Sequence, residues 1–168
     1  GRERGEVWHE EGKMSSKKNS FLDYISAAKF LIDSKYSYKG GIIGYGGSAG
    51  GLLLGAVVNQ APELFLGMVI QVGFLNPLET NLDHSLPLTL GELTEFGDAK
   101  NNAEHFKYIK SYSPVHNIKK MAYPNLLLVT NLKDVRVIFD EPTIFTAKLR
   151  QFKTDKNLLL LKCELEDA

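Results

Sequence analysis

Apolar residues recur at Phe21, Ile25, Ala28 and Ile32, at intervals of four, three and four, which puts them on one stripe of a helix. Ser20 opens that segment with Asp23 three residues on, a capping-box pattern, and the polar run Ser34 to Gly41 closes it. Gly41 to Tyr45 (GIIGY) is a short apolar run that predicts a buried strand. It enters the glycine-dense turn GGSAGG, and a helix of small residues follows from about Ala49 to Asn59. Further apolar runs predict strands at Leu66 to Val72, Asn125 to Thr130 and Asn157 to Lys162. Pro142 suits a first helical turn, and Phe145, Leu149 and Phe152 continue at helical spacing. The first twenty residues are polar and predict irregular backbone. Asn76 to Asn102, with Pro77, Pro87 and several acids, predicts a long excursion without regular structure.

Strands that do not alternate apolar with polar, separated by helical patterns, predict a parallel sheet covered by helices on both faces. The fold class is therefore α/β. In such sheets sites lie beyond the carboxyl ends of the strands, which directs attention to the turns after Tyr45, Thr130 and Lys162.

Composition narrows the function. With 168 residues, 43% hydrophobic and 24% charged, the chain is an ordinary globular domain rather than a disordered or fibrous one. Twenty basic and twenty acidic residues leave no net charge, and hence no electrostatic footprint for nucleic acid or an anionic membrane. The longest apolar stretch, Ala49 to Val58, has ten residues, against ~20 for a membrane span. The amino-terminal segment mixes both charge signs without an apolar core and predicts no secretory signal. The single cysteine, Cys163, fits a reducing, cytoplasmic compartment.

The turn after Tyr45 carries the chemistry. Gly46-Gly47-Ser48-Ala49-Gly50 is a G-x-S-x-G element between a strand and a helix, the pattern of a nucleophile elbow. A serine there would stand above the sheet, and the Ala49 amide would face the oxyanion of a tetrahedral intermediate. Two other readings compete. Gly44-x-Gly46-x-x-Ala49 also fits a dinucleotide fingerprint, but its candidate acid, Glu63, precedes the next strand instead of ending it. The glycines also suit a turn that merely packs a helix on a sheet. Asp134, in the loop after the third predicted strand, is where a triad acid belongs in the chain order serine, acid, histidine. Arg136 offers forked donors for a peptide carbonyl or carboxylate, or else pairs with Asp140 or Glu141 at the surface. All four histidines, His9, His84, His105 and His116, precede Asp134, so the base is missing from its expected place. His105 and His116 sit in polar segments and read as solvated.

Several segments together resemble the carboxyl-terminal catalytic domain of the oligopeptidase B branch of the prolyl oligopeptidase family of serine peptidases. They are Trp8-His-Glu-Glu-Gly-Lys13, Lys17-Lys-Asn-Ser-Phe21, Gly46-Gly-Ser-Ala-Gly-Gly-Leu-Leu53, Ala56-Val-Val-Asn59, Ser85-Leu-Pro-Leu-Thr89, Lys110-Ser-Tyr-Ser-Pro114 and Ala147-Lys-Leu-Arg150. The resemblance implies an α/β-hydrolase domain that cleaves short peptides after Arg or Lys without a metal or cofactor. Ser48 matches the nucleophile, Asp134 the triad acid, and Arg136 the arginine that holds the substrate backbone. Glu92 matches one of two carboxylates that receive the basic side chain. The second of these is Thr94 here, so Glu95 is the substitute expected beside it. The family's histidine segment would begin just past Ala168, and its first strands, oxyanion tyrosine and β-propeller have no counterpart in these residues. The expectation is a single partial domain over residues 1–168, inactive alone. Its alternative is a non-catalytic remnant that binds a complementing fragment carrying the missing histidine.

Overall fold

The computed structural model describes residues 3–165. Four strands form one parallel sheet in the order of the chain: β1 (Ile42–Gly47), β2 (Phe65–Gln71), β3 (Asn125–Asn131) and β4 (Leu159–Glu164). Helix α1 (Glu6–Glu10) and α2 (Lys18–Asp33) precede the sheet, and α3 (Ala49–Val58) joins β1 to β2. Between β2 and β3 lie α4 (Pro77–Leu82), α5 (Thr89–Phe96) and α6 (Ala103–Lys110), and α7 (Asp140–Phe152) joins β3 to β4. No helix among the described residues is long and apolar enough to cross a membrane.

The predicted stripe on α2 does face the core, with Phe21, Ile25 and Ala28 buried. Its start differs from the expected capping box. The helix begins at Lys18, and the Ser20 hydroxyl donates to the Gly12 carbonyl (3.3 Å) instead of capping. The amino-terminal residues contain α1, and the expected excursion at 76–102 contains α4 and α5. Short helices of this kind lack the length for a periodic signal. Pro77 at the first position of α4 is compatible with helix because that amide has no intrahelical acceptor.

Register aligns Gly44, Met68, Leu126 and Leu159 in one row across the sheet, and Gly46, Ile70, Leu128 and Leu161 in the next on the same face. Helices α3 and α7 cover this face, with Leu52, Leu54, Phe145 and Leu149 fully buried between helix and sheet. The alternate row, Tyr45, Val69, Leu127 and Leu160, points the other way. Among the described residues no helix covers that side. Tyr45 is 69% exposed, Ile43 62% and Leu160 50%. The two-sided cover expected from the non-alternating strands is thus one-sided here, because α2, α3 and α7 all lie with the Met68 row.

Candidate active site

β1 ends at Gly47 and α3 begins at Ala49, so Ser48 alone makes the turn. Its backbone sits at φ 51°, ψ −119°, a region costing a non-glycine residue on the order of 1–3 kcal/mol unless its surroundings hold it there. They do. Ser48 N donates to Gln71 O and Val72 O, both at 3.1 Å. Ser48 O accepts from Gly51 N (2.9 Å), Leu52 N (3.2 Å) and Phe74 N (3.0 Å). A Cβ on Gly46 would stand 2.7 Å from Gly50 O, so only glycine lets the chain double back so closely. Ser48 and Ala49 are both exposed. The Ala49 amide, first in α3, has no intrahelical acceptor and lies at the helix's positive end.

Ser48 and Ala49 line a narrow cleft with Phe74, Thr80, Thr89, Glu92, Arg136 and Val137. The structure therefore brings together four of the six residues singled out in the sequence. Asp134 borders an adjoining cavity of about 360 Å³, with Val72, Thr130, Lys133 and Glu164 on its other walls. Val72, on the wall of this cavity, is bonded to the Ser48 turn: its carbonyl accepts from Ser48 N, and its amide donates to Val129 O (2.7 Å). Asp134 Oδ1 accepts from Arg136 N (2.8 Å) and Val137 N (3.0 Å), fixing the loop from which those residues reach the Ser48 cleft. The buried Thr130 hydroxyl, on the wall of the Asp134 cavity, has no hydrogen-bond partner among the described residues.

Glu95 lies elsewhere. Its carboxylate accepts from Lys17 Nζ (2.7 Å) and His9 Nε2 (2.8 Å). Partial burial pushes its proton affinity up, but these partners bring it below the usual range. It anchors α5 to the amino-terminal segment and does not border the Ser48 cleft. Glu92, half-buried in the cleft, is shifted the other way, raised by desolvation and then by the charge of Glu95. Arg136 is exposed and, among the described residues, makes no ion pair with Asp140 or Glu141, whose oxygens hold Asn76 N and the Thr80 hydroxyl.

The histidines stay away from Ser48. His9 pairs with Glu95, and His84 lies 3.8 Å from Asp98. His105 and His116 are half-buried rather than solvated. His105 Nδ1 accepts from Asp98 N (2.9 Å), and His116 Nδ1 bonds the Ser113 hydroxyl (3.0 Å). Burial lowers the proton affinity of His116, against the opposing pull of Glu79. Glu63 lies in the short turn before β2, where no dinucleotide ribose could meet it at a strand's carboxyl end. Among the described residues, Glu6, His9 and Glu10 are close enough to share a cation (within 4.8 Å), but His9 is held by Glu95 and Glu10 by Lys13.

One group carries no mark in the sequence. Glu141 is 2% exposed. Its carboxylate accepts from Asn76 N (2.7 Å) and from the Thr80 hydroxyl (2.6 Å). Desolvation raises it to about 7, with those hydrogen bonds opposing and the charge of Glu92 adding. An acid just before Pro142 in a first helical turn reads as a solvated dipole partner, and nothing local shows it as buried. The folded state thus favours the protonated form between about 4.5 and about 7, where the unfolded chain is ionised. Stability should fall by roughly 3 kcal/mol as pH rises through that window. Denaturant unfolding from pH 4.5 to 8 should show this slope, and Glu141→Gln should flatten it.

A serine on a strained strand-to-helix bend, at the carboxyl edge of a parallel sheet and with a carboxylate two strands away, is the architecture of an α/β-type serine hydrolase. The chain belongs to the prolyl oligopeptidase family, whose sequence model matches residues 1–167. It is 46% identical over 98% of its length to protease 2 of Moraxella lacunata, and 37% identical over 99% to dipeptidyl aminopeptidase BI of Pseudoxanthomonas mexicana. The structure superposes on oligopeptidase B of Leishmania major with TM-score 0.96 and 41% identity, covering 99% of this chain and 23% of that one. Oligopeptidase B of Trypanosoma brucei, solved with covalently bound antipain, gives TM-score 0.94 and 42% identity over 97% of this chain and 23% of that one. The chain spans about a quarter of the length of the curated relatives it matches: 24% of the Moraxella protein and 23% of the Pseudoxanthomonas one.

Proposed function

We propose that these residues form the nucleophile and substrate-binding part of a serine oligopeptidase that cleaves short peptides after a basic residue. The observation that carries this reading is the pinned, exposed Ser48, sharing one cleft with the Ala49 amide, Glu92 and Arg136. Ser48 Oγ attacks the scissile carbonyl, and the Ala49 N–H stabilises the oxyanion. Collapse of the intermediate leaves an acyl ester on Ser48 and expels the amine with the transferred proton. Water then hydrolyses the ester. Arg136 holds a substrate carbonyl or carboxylate, and Glu92 receives the cationic side chain.

The proton acceptor is a histidine supplied from outside these residues. β1 and β3 are two strand spacings apart, about 10 Å, too far for Asp134 to take the Ser48 proton itself. The cavity beside Asp134 has room for an imidazole, which Asp134 would orient. The Ser48 cleft is narrow, about 20 Å³, so a side chain as long as arginine enters only as Leu86 and Leu88 give way.

The chain should bind benzamidine through Glu92. Replacing a charge-assisted pair by a neutral one costs about 1.5–3 kcal/mol, so Glu92→Gln should weaken binding roughly 10- to 100-fold. Calorimetric titration at pH 8 checks this, and equal affinities would remove the basis for a basic-residue preference. The second reading is a non-catalytic binding piece, supported by the uncovered sheet face with Ile43, Tyr45 and Leu160 at its surface. Any Ser48-dependent acylation would exclude it.

A further inference from the structure

We propose that Glu141 is a positioning residue, fastening the cleft wall that bears Glu92 to the loop that bears Arg136, so that the two act as one rigid cation-and-backbone receptor. The inference rests on the reading of Glu92 given above.

The Ser48 cleft has two walls from distant parts of the sequence. One is the loop Asp134–Val137, closed by the Asp134 carboxylate and running directly into α7. The other is the segment from Asn76 to Glu92, which carries Thr80, Thr89 and Glu92. Glu141 sits in the first turn of α7, with its own amide bonded to Ile138 O (3.2 Å). One oxygen holds the Asn76 amide and the other the Thr80 hydroxyl. Thr80 continues the connection, because its carbonyl accepts the Thr89 hydroxyl (3.1 Å), one helical turn before Glu92. Thr80 and Thr89 both face the cleft. A single buried carboxylate therefore ties α7 to the wall opposite it, through a buried hydrogen bond to Asn76 and a part-buried one to Thr80.

A hydrophobic pair would link the walls without burying a charge. The carboxylate adds direction: two acceptors with fixed geometry set the height of the Asn76–Thr80 turn relative to Arg136. The charged group that acts on Glu141 is Glu92 from α5, and Glu79, Asp83 and Asp140 line the same pocket as Glu141. All are acidic, so none neutralises it.

The test is benzamidine affinity at pH 8 in the full chain, measured with thermal unfolding of each variant. Glu141→Gln and Thr80→Val should each weaken binding about tenfold, and the double variant should lose little more, because both break the same connection. Thr80→Ser keeps the hydroxyl and should bind like the parent. A role confined to stability would lower the unfolding temperature of Thr80→Val without this hydroxyl-dependent split in affinity. Unchanged affinity in Glu141→Gln, or additive losses in the double variant, would overturn the inference. Failure of the parent chain to bind benzamidine would instead overturn the reading of Glu92, and the inference with it.

Discussion

Incubated with a fluorogenic arginyl peptide, the 168-residue chain should release product no faster than its Ser48→Ala variant. A chimera in which the remaining sequence is supplied by the Moraxella protease should turn it over, and Ser48→Ala in that chimera should abolish the gain. The expected difference is large. Loss of the nucleophilic serine or of its base costs a serine peptidase about 10⁶ in turnover, or ~8 kcal/mol of barrier. The physical basis for expecting this silence lies around Ser48. Ser48 has a strained turn and a helix amide in place, yet none of His9, His84, His105 and His116 lines its cleft, and His9, His105 and His116 are hydrogen-bonded elsewhere. Without an acceptor, the hydroxyl remains a weak nucleophile. Burst release of product by the chain alone, lost in Ser48→Ala, would show that another group takes the proton.

The second large effect concerns Gly51, in the first turn of α3. A methyl group there would stand 2.5 Å from Gly73 Cα and 3.1 Å from Ile70 Cγ2. The first contact is backbone, so it cannot swing aside. Alanine favours helix over glycine by up to about 1 kcal/mol, whereas overpacking of this kind costs typically ~1–3 kcal/mol and occasionally more. The clash should win, with Gly51→Ala less stable by ~2 kcal/mol and melting lower by roughly 4–8 °C. The injury should also reach the serine, because pushing α3 off the loop at Gly73 displaces Phe74, whose amide holds Ser48 O. In the chimera, a misplacement near ~1 Å would take about 10² from turnover. Calorimetric melting and kinetics of the same variant check both halves, and a rise in melting temperature would mean that the helix had found room.

Elements carrying their own signal could be read from the sequence, and those defined by distant partners could not. The four strands stand out as apolar runs, and their boundaries fall within two residues of those read from the sequence. The Ser48 turn announces itself because glycine is demanded by local geometry. Asp134 and Arg136 follow from the strand they come after. Helices α4 and α5 have few apolar positions in period, and they pack against each other, α6 and the turn at Met14–Ser16. Glu95 and Glu92 look alike in the sequence, yet Lys17 and His9, far away in the chain, claim one of them. Glu141 is the sharpest case. Its neighbours Asn76 and Thr80 lie more than sixty residues earlier, so only the closed fold reveals that it is buried.

The uncovered side of the sheet has a practical result for anyone handling the isolated polypeptide. Tyr45, Ile43 and Leu160 meet water on that side, so two molecules gain by pressing these greasy surfaces together. A melting point recorded for this chain then belongs to a solution of stated strength, and it should drift downward on dilution as such pairs come apart.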